Sequence, residues 1–152
     1  MASVADNDID ILAKVRRALD HEYTPSEDDE YMNDKQLDYF RMLLVEWKRS
    51  ILSAAEGTLQ SLQDGPIREP DLNDRASSET DWGIELRTRD RQRKLIAKIE
   101  AALRRIDRGE YGYCEVTGDP IGIKRLMARP IATMTVEAQE AHERREKISR
   151  DD

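Results

Sequence analysis

Along the central part of the chain, apolar positions advance by threes and fours over two long stretches. In the first, Leu37, Phe40, Leu44, Trp47, Ile51, Ala54, Thr58 and Leu62 make an a/d seam of nearly four heptads, the pattern of a helix that pairs with another helix. Asn33 stands where an N-cap belongs, and Asp64-Gly65-Pro66 is a stop signal. In the second, Leu95, Ile99, Ala102 and Ile106 form a stripe supported by Ile96 and Leu103. That helix is predicted from Ala76 or Asp81 to Arg108, with Gly109 ending it. The segment between them, "GPIREPDLNDRASSETDWG", holds two prolines and several capping side chains and reads as a turn or broken helix. Two helices of about 40–45 Å, at roughly 1.5 Å per residue, joined by a short loop should pair antiparallel.

Shorter elements flank this hairpin. Residues 8–20 predict a helix with Ile9, Leu12, Val15 and Leu19 on one side, followed by an acidic connection through Pro25. Residues 109–134 are punctuated by Gly109, Gly112, Gly118, Pro120, Gly122 and Pro130 and predict a turn-rich knob, with short strands at Ile121–Ile123. Tyr113, Ile121, Ile123, Leu126, Met127, Met134 and Val136 are its candidate core. Residues 135–148 return to helix behind Thr135 as N-cap. The expected architecture is mainly α: a long antiparallel coiled-coil hairpin on a small globular base, with a degenerate zinc-ribbon-like knob and a C-terminal helix. The expected division is 1–32 for the N-terminal helix and linker, 33–108 for the arm with its tip near 64–80, and 109–152 for the knob and last helix.

Composition suits such a shape. Of 152 residues, 38% are hydrophobic and 38% charged, while aromatics are 5%, which favours amphipathic helices that each bury one stripe. A net charge of -7 argues against attachment to DNA by electrostatics alone, so no direct sequence-specific DNA binding is expected. No apolar run is long enough to span a membrane, the first residues lack the pattern of a signal peptide, and a single Cys builds no internal disulfide. The expected location is the cytoplasm.

Three groups of residues carry candidate chemistry. Cys114 and Thr117 are three apart, as are Thr135 and Ala138, in the outline of a C-x2-C-x17-C-x2-C zinc ribbon. Only one of the four positions offers a thiolate, whereas a structural zinc needs four ligands. No metal is therefore expected, and Cys114 reads as a small residue packed at a tight turn, or as a reactive thiol. Asp71 and Asp74 fall on one face of a helical turn beside Ala76. Helix capping after Pro70 accounts for them; a metal site or carboxylate pair lacks a nucleophile or third ligand. Arg87, Arg91, Lys94 and Lys98 align four positive charges on one helix stripe, either a solvated face or a site for a polyanion.

The chain resembles the DksA family of bacterial RNA polymerase regulators, from "EYMN" at 30–33 to about Lys147. The resemblance rests on "DLNDRA" at the arm tip, "ELRTRDRQRKLIAKIE" on the second helix and "GYCEVTGDPIGIKRLMARP" in the knob. The family commonly has four Cys at the places of Cys114, Thr117, Thr135 and Ala138, so this chain looks like a cysteine-poor, zinc-independent member. The resemblance implies a non-enzymatic regulator that inserts its arm through the secondary channel of RNA polymerase; a monomer is expected because Gly57 and the charged stretch 87–94 interrupt the seam and favour intramolecular pairing. It implies that Asp71, Asp74 and Ala76 contact polymerase. It also implies a shared site for guanosine tetraphosphate (ppGpp), the starvation alarmone, at Arg91, Leu95, Lys98 and Arg129. The family's Lys near the start of the last helix is Gln139 here. The implied outcome is a stringent response that lowers ribosomal RNA synthesis and aids amino-acid promoters. The alternatives are a metal-dependent hydrolase or transcript-cleavage factor using the acidic tip, and a coiled-coil adaptor that dimerises through its seam.

Overall fold

The computed structural model describes residues 4–20, 22–63 and 72–151, with side chains described for 8–20, 22–57 and 79–150. Five helices follow in order: α1 Val4–Leu19, α2 Asp34–Gln63, α3 Leu72–Asp107, α4 Ile123–Ala128 and α5 Val136–Asp151. No strand is present among the described residues. The expected pairing at Ile121–Ile123 is replaced by one isolated bridge between Tyr113 and Pro120, and Ile123 instead opens α4. Gly and Pro interrupt the knob at short intervals, so its backbone has no run long enough for a ladder. No helix among the described residues is long and apolar enough to cross a membrane.

Local chemistry sets the helix ends. The Gln36 amide donates to Asn33 Oδ1 at 2.8 Å, the expected N-cap bond of α2. The fully buried Gln36 side chain then works outward: its Oε1 accepts from the Met32 amide at 2.7 Å and its Nε2 donates to the Ser26 carbonyl at 3.0 Å. One amide thus ties the acidic connection to the foot of the arm. At the far end of α3 the Glu110 amide reaches the Arg105 carbonyl at 2.9 Å and the Gly109 amide reaches Ile106 at 3.1 Å, a Schellman closure with Gly109 left-handed at φ 74°. Thr135 caps α5 through the Ala138 amide at 3.2 Å.

α2 and α3 run antiparallel: Arg41 pairs with Asp107 at 2.7 Å, and seven residues along, Lys48 pairs with Glu100 at 3.0 Å. Between them Phe40, Leu43, Leu44, Trp47 and Ile51 close on Ile99, Ala102 and Ile106, all buried. Each such large aliphatic or aromatic side chain contributes about 1.5–3 kcal/mol on burial. Leu37, Leu95, Ile96 and Leu103 are partly buried against this core, whereas Ala54 is exposed. Thr58 and Leu62 lie outside the described side chains. In α1 the inward stripe is Asp8, Leu12 and Val15, with Leu19 partly buried; Ile9, expected inside, is 59% exposed. The stripe runs at i, i+4, i+7, and its first place is taken by a carboxylate.

The knob closes on tyrosines. Tyr111 is 2% exposed, packs on Phe40 with ring centroids 5.5 Å apart, and donates from its hydroxyl to the Pro130 carbonyl at 2.8 Å. Tyr31 Oη donates to the Gly112 carbonyl at 2.6 Å and accepts from the Gly122 amide at 2.9 Å. Gly112 has φ 89°, and a β-carbon there would stand 2.9 Å from the Met32 side chain and 3.2 Å from Tyr31 Oη, so only glycine allows this approach. Ile121, Ile123 and Leu126 fill the interior as expected, with Met127 and Met134 partly buried. Tyr113 and Val136, expected in the core, are instead 36% and 45% exposed. Their alternation with Tyr111, Cys114 and Ala138 puts the smaller or hydroxyl-tethered neighbour inside.

Removing the Tyr31 hydroxyl leaves the Gly122 amide without its partner, while the Gly112 carbonyl keeps the Ile121 amide at 2.8 Å. Tyr31→Phe is expected to lower stability by about 1–3 kcal/mol, read as a lower urea midpoint at unchanged slope. An unchanged midpoint would show that the Tyr31 hydroxyl does not help to hold the knob.

Candidate functional site

The arm carries the first two groups. Asp71 lies outside the described residues. Asp74 and Ala76 belong to the first turns of α3, which begins at Leu72 and not at Ala76 or Asp81; their side chains are outside the description.

The cationic stripe of α3 is described in full, and its four members are not equivalent. Arg87 Nε donates to the Gly83 carbonyl one turn back, at 3.3 Å. Lys94 Nζ lies 3.2 Å from Asp90 Oδ2, and the same carboxylate takes Arg93 Nη2 at 2.6 Å. Those two hydrogen bonds, from Arg93 and then Lys94, hold the Asp90 carboxyl below its ordinary value. Arg91 faces α1, with Nε 3.9 Å from Asp8 Oδ2. Lys98 is exposed and meets no carboxylate among the described residues. Like Arg87, it has no ion pair among the described residues, and unlike Arg87 its side chain has no bond to a backbone carbonyl there. Leu95 beside it is half-buried against the core, which orients that face of the helix. Arg129 sits exposed at the C-terminal end of α4, its amide bonded to the Arg125 carbonyl at 2.7 Å. Gln139, in the first turns of α5, spends its Nε2 on Glu143 Oε1 at 3.1 Å.

The base holds these elements in register. Arg16 of α1 donates to the Met127 carbonyl of α4 at 2.6 Å, and Tyr39 of α2 donates to Asp20 Oδ1 at 2.5 Å. Burial, then the hydrogen bond to Asp20, raises the Tyr39 hydroxyl well above its usual range, so it remains a donor. Trp47 Nε1 donates to the Asp8 carbonyl at 3.2 Å. The i, i+4, i+7 register with Leu12 and Val15 is the one sequence signal that places Asp8 inward.

The third group is the knuckle. Cys114 is a free thiol, 3% exposed. Its amide donates to the Asp119 carbonyl at 2.7 Å and its carbonyl accepts from Gly118, left-handed at φ 78°, at 2.9 Å. Burial pushes the thiol up, but the Thr117 hydroxyl and the Thr135, Thr117 and Val116 amides all point at sulfur, and the balance lowers it from 9.0 to about 7. The knuckle thus keeps a backbone cradle for a thiolate. None of the other three positions of the zinc outline offers a thiolate or an imidazole. Thr117 contributes a neutral hydroxyl and Ala138 a methyl. Among the described residues no group of three His, Cys, Asp or Glu side chains could hold a metal ion. His142 is engaged one turn along α5 with Glu146, at 3.1 Å.

A long helical hairpin rising from a four-position knuckle base defines a class of arm-bearing knuckle proteins, and comparison with known proteins agrees. The family model of the DnaK suppressor protein DksA N-terminal domain matches residues 36–106, and that of the prokaryotic dksA/traR C4-type zinc finger matches 109–144. The chain is 61% identical over 131 residues to the RNA polymerase-binding transcription factor DksA of Caulobacter vibrioides, covering 86% of this chain and 92% of that one. It is 42% identical over 125 residues to the protein of the same name from Escherichia coli K12, covering 82% and 83%. Among solved structures it matches transcription factor DksA2 from Pseudomonas aeruginosa with a TM-score of 0.70 and 39% identity, covering 86% of this chain and 98% of that one. The chain belongs to the DksA family.

A thiol that ionises near neutrality only because of its cradle should show it. Cys114 is expected to titrate at about 7, followed by the ultraviolet absorption of the thiolate, with the same midpoint in the presence of chelator. Thr117→Val should move the midpoint up. Because the folded value lies below the free one, this group stabilises the fold above the free-thiol range and loses that contribution as pH falls through about 7. A thiolate that refuses to protonate there until chelator is added would reveal a bound metal.

Proposed function

We propose that this protein is a non-catalytic, monomeric transcription regulator that binds bacterial RNA polymerase and not promoter DNA. The observation that carries the reading is that arm and knob together match relatives named as RNA polymerase-binding transcription factors. An α2 of 30 residues makes a rod about 45 Å long, narrow enough to enter a channel that a globule would block. The arm enters the secondary channel, and Asp71, Asp74 and Ala76 meet polymerase near its mobile catalytic elements. There the acids act by charge-assisted hydrogen bonds and destabilise short-lived promoter complexes. Ribosomal RNA synthesis falls and some amino-acid promoters gain. The knob does this without zinc, the tyrosine bonds taking the place of the metal.

The alarmone ppGpp strengthens both effects from a site shared with polymerase. Arg91, Leu95, Lys98 and Arg129 supply this chain's half. Multiple phosphates suit the paired donors of Arg and the point charge of Lys. Lys98 supports this reading best, because its charge faces solvent uncompensated. Gln139 brings no charge and is already bonded to Glu143, so the site is weaker than one with Lys at that place.

Three variants separate these roles in assays with purified polymerase. Asp74→Asn is expected to abolish inhibition of a sensitive promoter while polymerase binding is retained, since a charge-assisted contact is worth roughly 1.5–3 kcal/mol. Full inhibition by the variant would remove the tip from the mechanism. Lys98→Ala is expected to lose the alarmone's added effect and keep basal inhibition, with helix propensity preserved by Ala. Gln139→Lys should strengthen alarmone binding. Unchanged alarmone binding in Lys98→Ala would refute the site.

A further inference from the structure

Asp8 occupies the first place of the inward stripe of α1, where an aliphatic side chain would pack against the arm. It is 6% exposed, and its Oδ1 has no hydrogen-bond partner. Three groups face it. Arg91 of α3 brings the charge, with Nε 3.9 Å from Oδ2; Gln92, also of α3, brings a side-chain hydrogen bond; and Trp47 of α2 takes the backbone carbonyl and leaves the carboxylate alone. A buried carboxylate with one orphaned oxygen and one long ion pair is poorly compensated. Burial outweighs both Gln92 and Arg91, and the carboxyl is held above its ordinary range.

We infer that Asp8 is the internal counter-ion of the cationic stripe, displaced when an anion takes Arg91, so that the chain takes up a proton as it takes up the anion. The Arg91 side chain is 44% exposed, so a phosphate can reach it from solvent while Asp8 holds it from within. A phosphate on Arg91 places negative charge beside Asp8 and withdraws the one cation that favours its ionised form. Neutralisation by a proton from water relieves both. The linkage is reciprocal: protonated Asp8 frees Arg91, and anion binding tightens as pH falls. Asp8 acts through Arg91 and is a positioning residue. The inference rests on the proposed alarmone reading of the stripe and adds to it a pH dependence and the participation of α1.

The test compares wild type, Asp8→Asn and Arg91→Gln, each as the full chain bound to bacterial RNA polymerase, with guanosine tetraphosphate as the probe. Affinity is measured from about pH 7 down to about pH 5. A single linked proton allows up to about tenfold tighter binding per pH unit. Wild type should tighten several-fold more than Asp8→Asn over this range. The titration of the phosphates themselves cancels in that comparison. At pH 7 the Asn variant should bind more tightly than wild type. A carboxyl NMR titration of the free full chain gives the second readout: Asp8 should titrate higher in Arg91→Gln than in wild type. Parallel pH profiles for wild type and Asp8→Asn, with binding weakened by Arg91→Gln, would overturn the inference and leave the alarmone site standing. Binding unaffected by Arg91→Gln at any pH would overturn both. An Asp8 titration indifferent to Arg91→Gln would overturn the inference directly.

Discussion

Tyr31 Oη stands between two backbone groups of the knob, giving its proton to Gly112 and taking one from Gly122. The residue belongs to the connection ahead of α2, and both partners lie more than eighty positions away in sequence. One hydroxyl therefore joins the start of the arm to the knob beyond its end. Everything else at the base follows from that closure. Gly112 must lack a side chain so that the ring can approach, and Tyr113 stacks edge-on against it with centroids 5.6 Å apart. All five tyrosines and the one phenylalanine take part in ring contacts here. A chain poor in aromatics has concentrated them at the joint where rod meets base.

The N-terminal helix completes the joint from the other side. α1 reaches α2 through Asp20 and Trp47, α3 through Asp8, and α4 through Arg16. Most of these bonds go to a backbone carbonyl or a buried hydroxyl, groups whose desolvation would otherwise oppose folding. Asp8 is the exception, the one contact whose charge is incompletely answered. The helix that secures the base also bears on the cationic face of the arm, so the two are physically connected.

The long-period features of this fold could be read from the sequence, and the short-range ones could not. The seam from Phe40 to Ile51 and the stripe from Ile99 to Ile106 repeat often enough that no other element fits them. Asn33, Gly109 and Thr135 announce helix ends by chemistry that is local in sequence. α4 is six residues long, too short for a period to register. The mistaken strand at Ile121–Ile123 came from reading a brief apolar run without its partner. Hydrophobicity alone places Tyr113, Val136 and Ile9 inward, whereas the folded chain exposes all three and buries Asp8. Tyr31 and Asp8 are defined by bonds across tens of residues, and Gln36 by bonds to a connection whose path no period sets. At the candidate site, the stripe itself was legible at its three- and four-residue spacing. Which of its cations is free depends on Asp90 and Asp8, and only the folded chain brings the second of these near.

Gly57 of α2 and Gly83 of α3 stand apart from this tightly tied base. A β-carbon would meet nothing at Gly57 and only Arg87 Nη2, at 3.8 Å, at Gly83, so packing does not require glycine at either place. Each weakens its helix by about 1 kcal/mol relative to alanine. In mechanical terms the molecule is a clamped beam with compliant points along its shaft. A stiff rod some 45 Å long turns a small angular error at its root into a large displacement at its end. A shaft weakened at two glycines spends less energy in bending there than at the root, so load on the arm falls first on the shaft and not on the tyrosine joint.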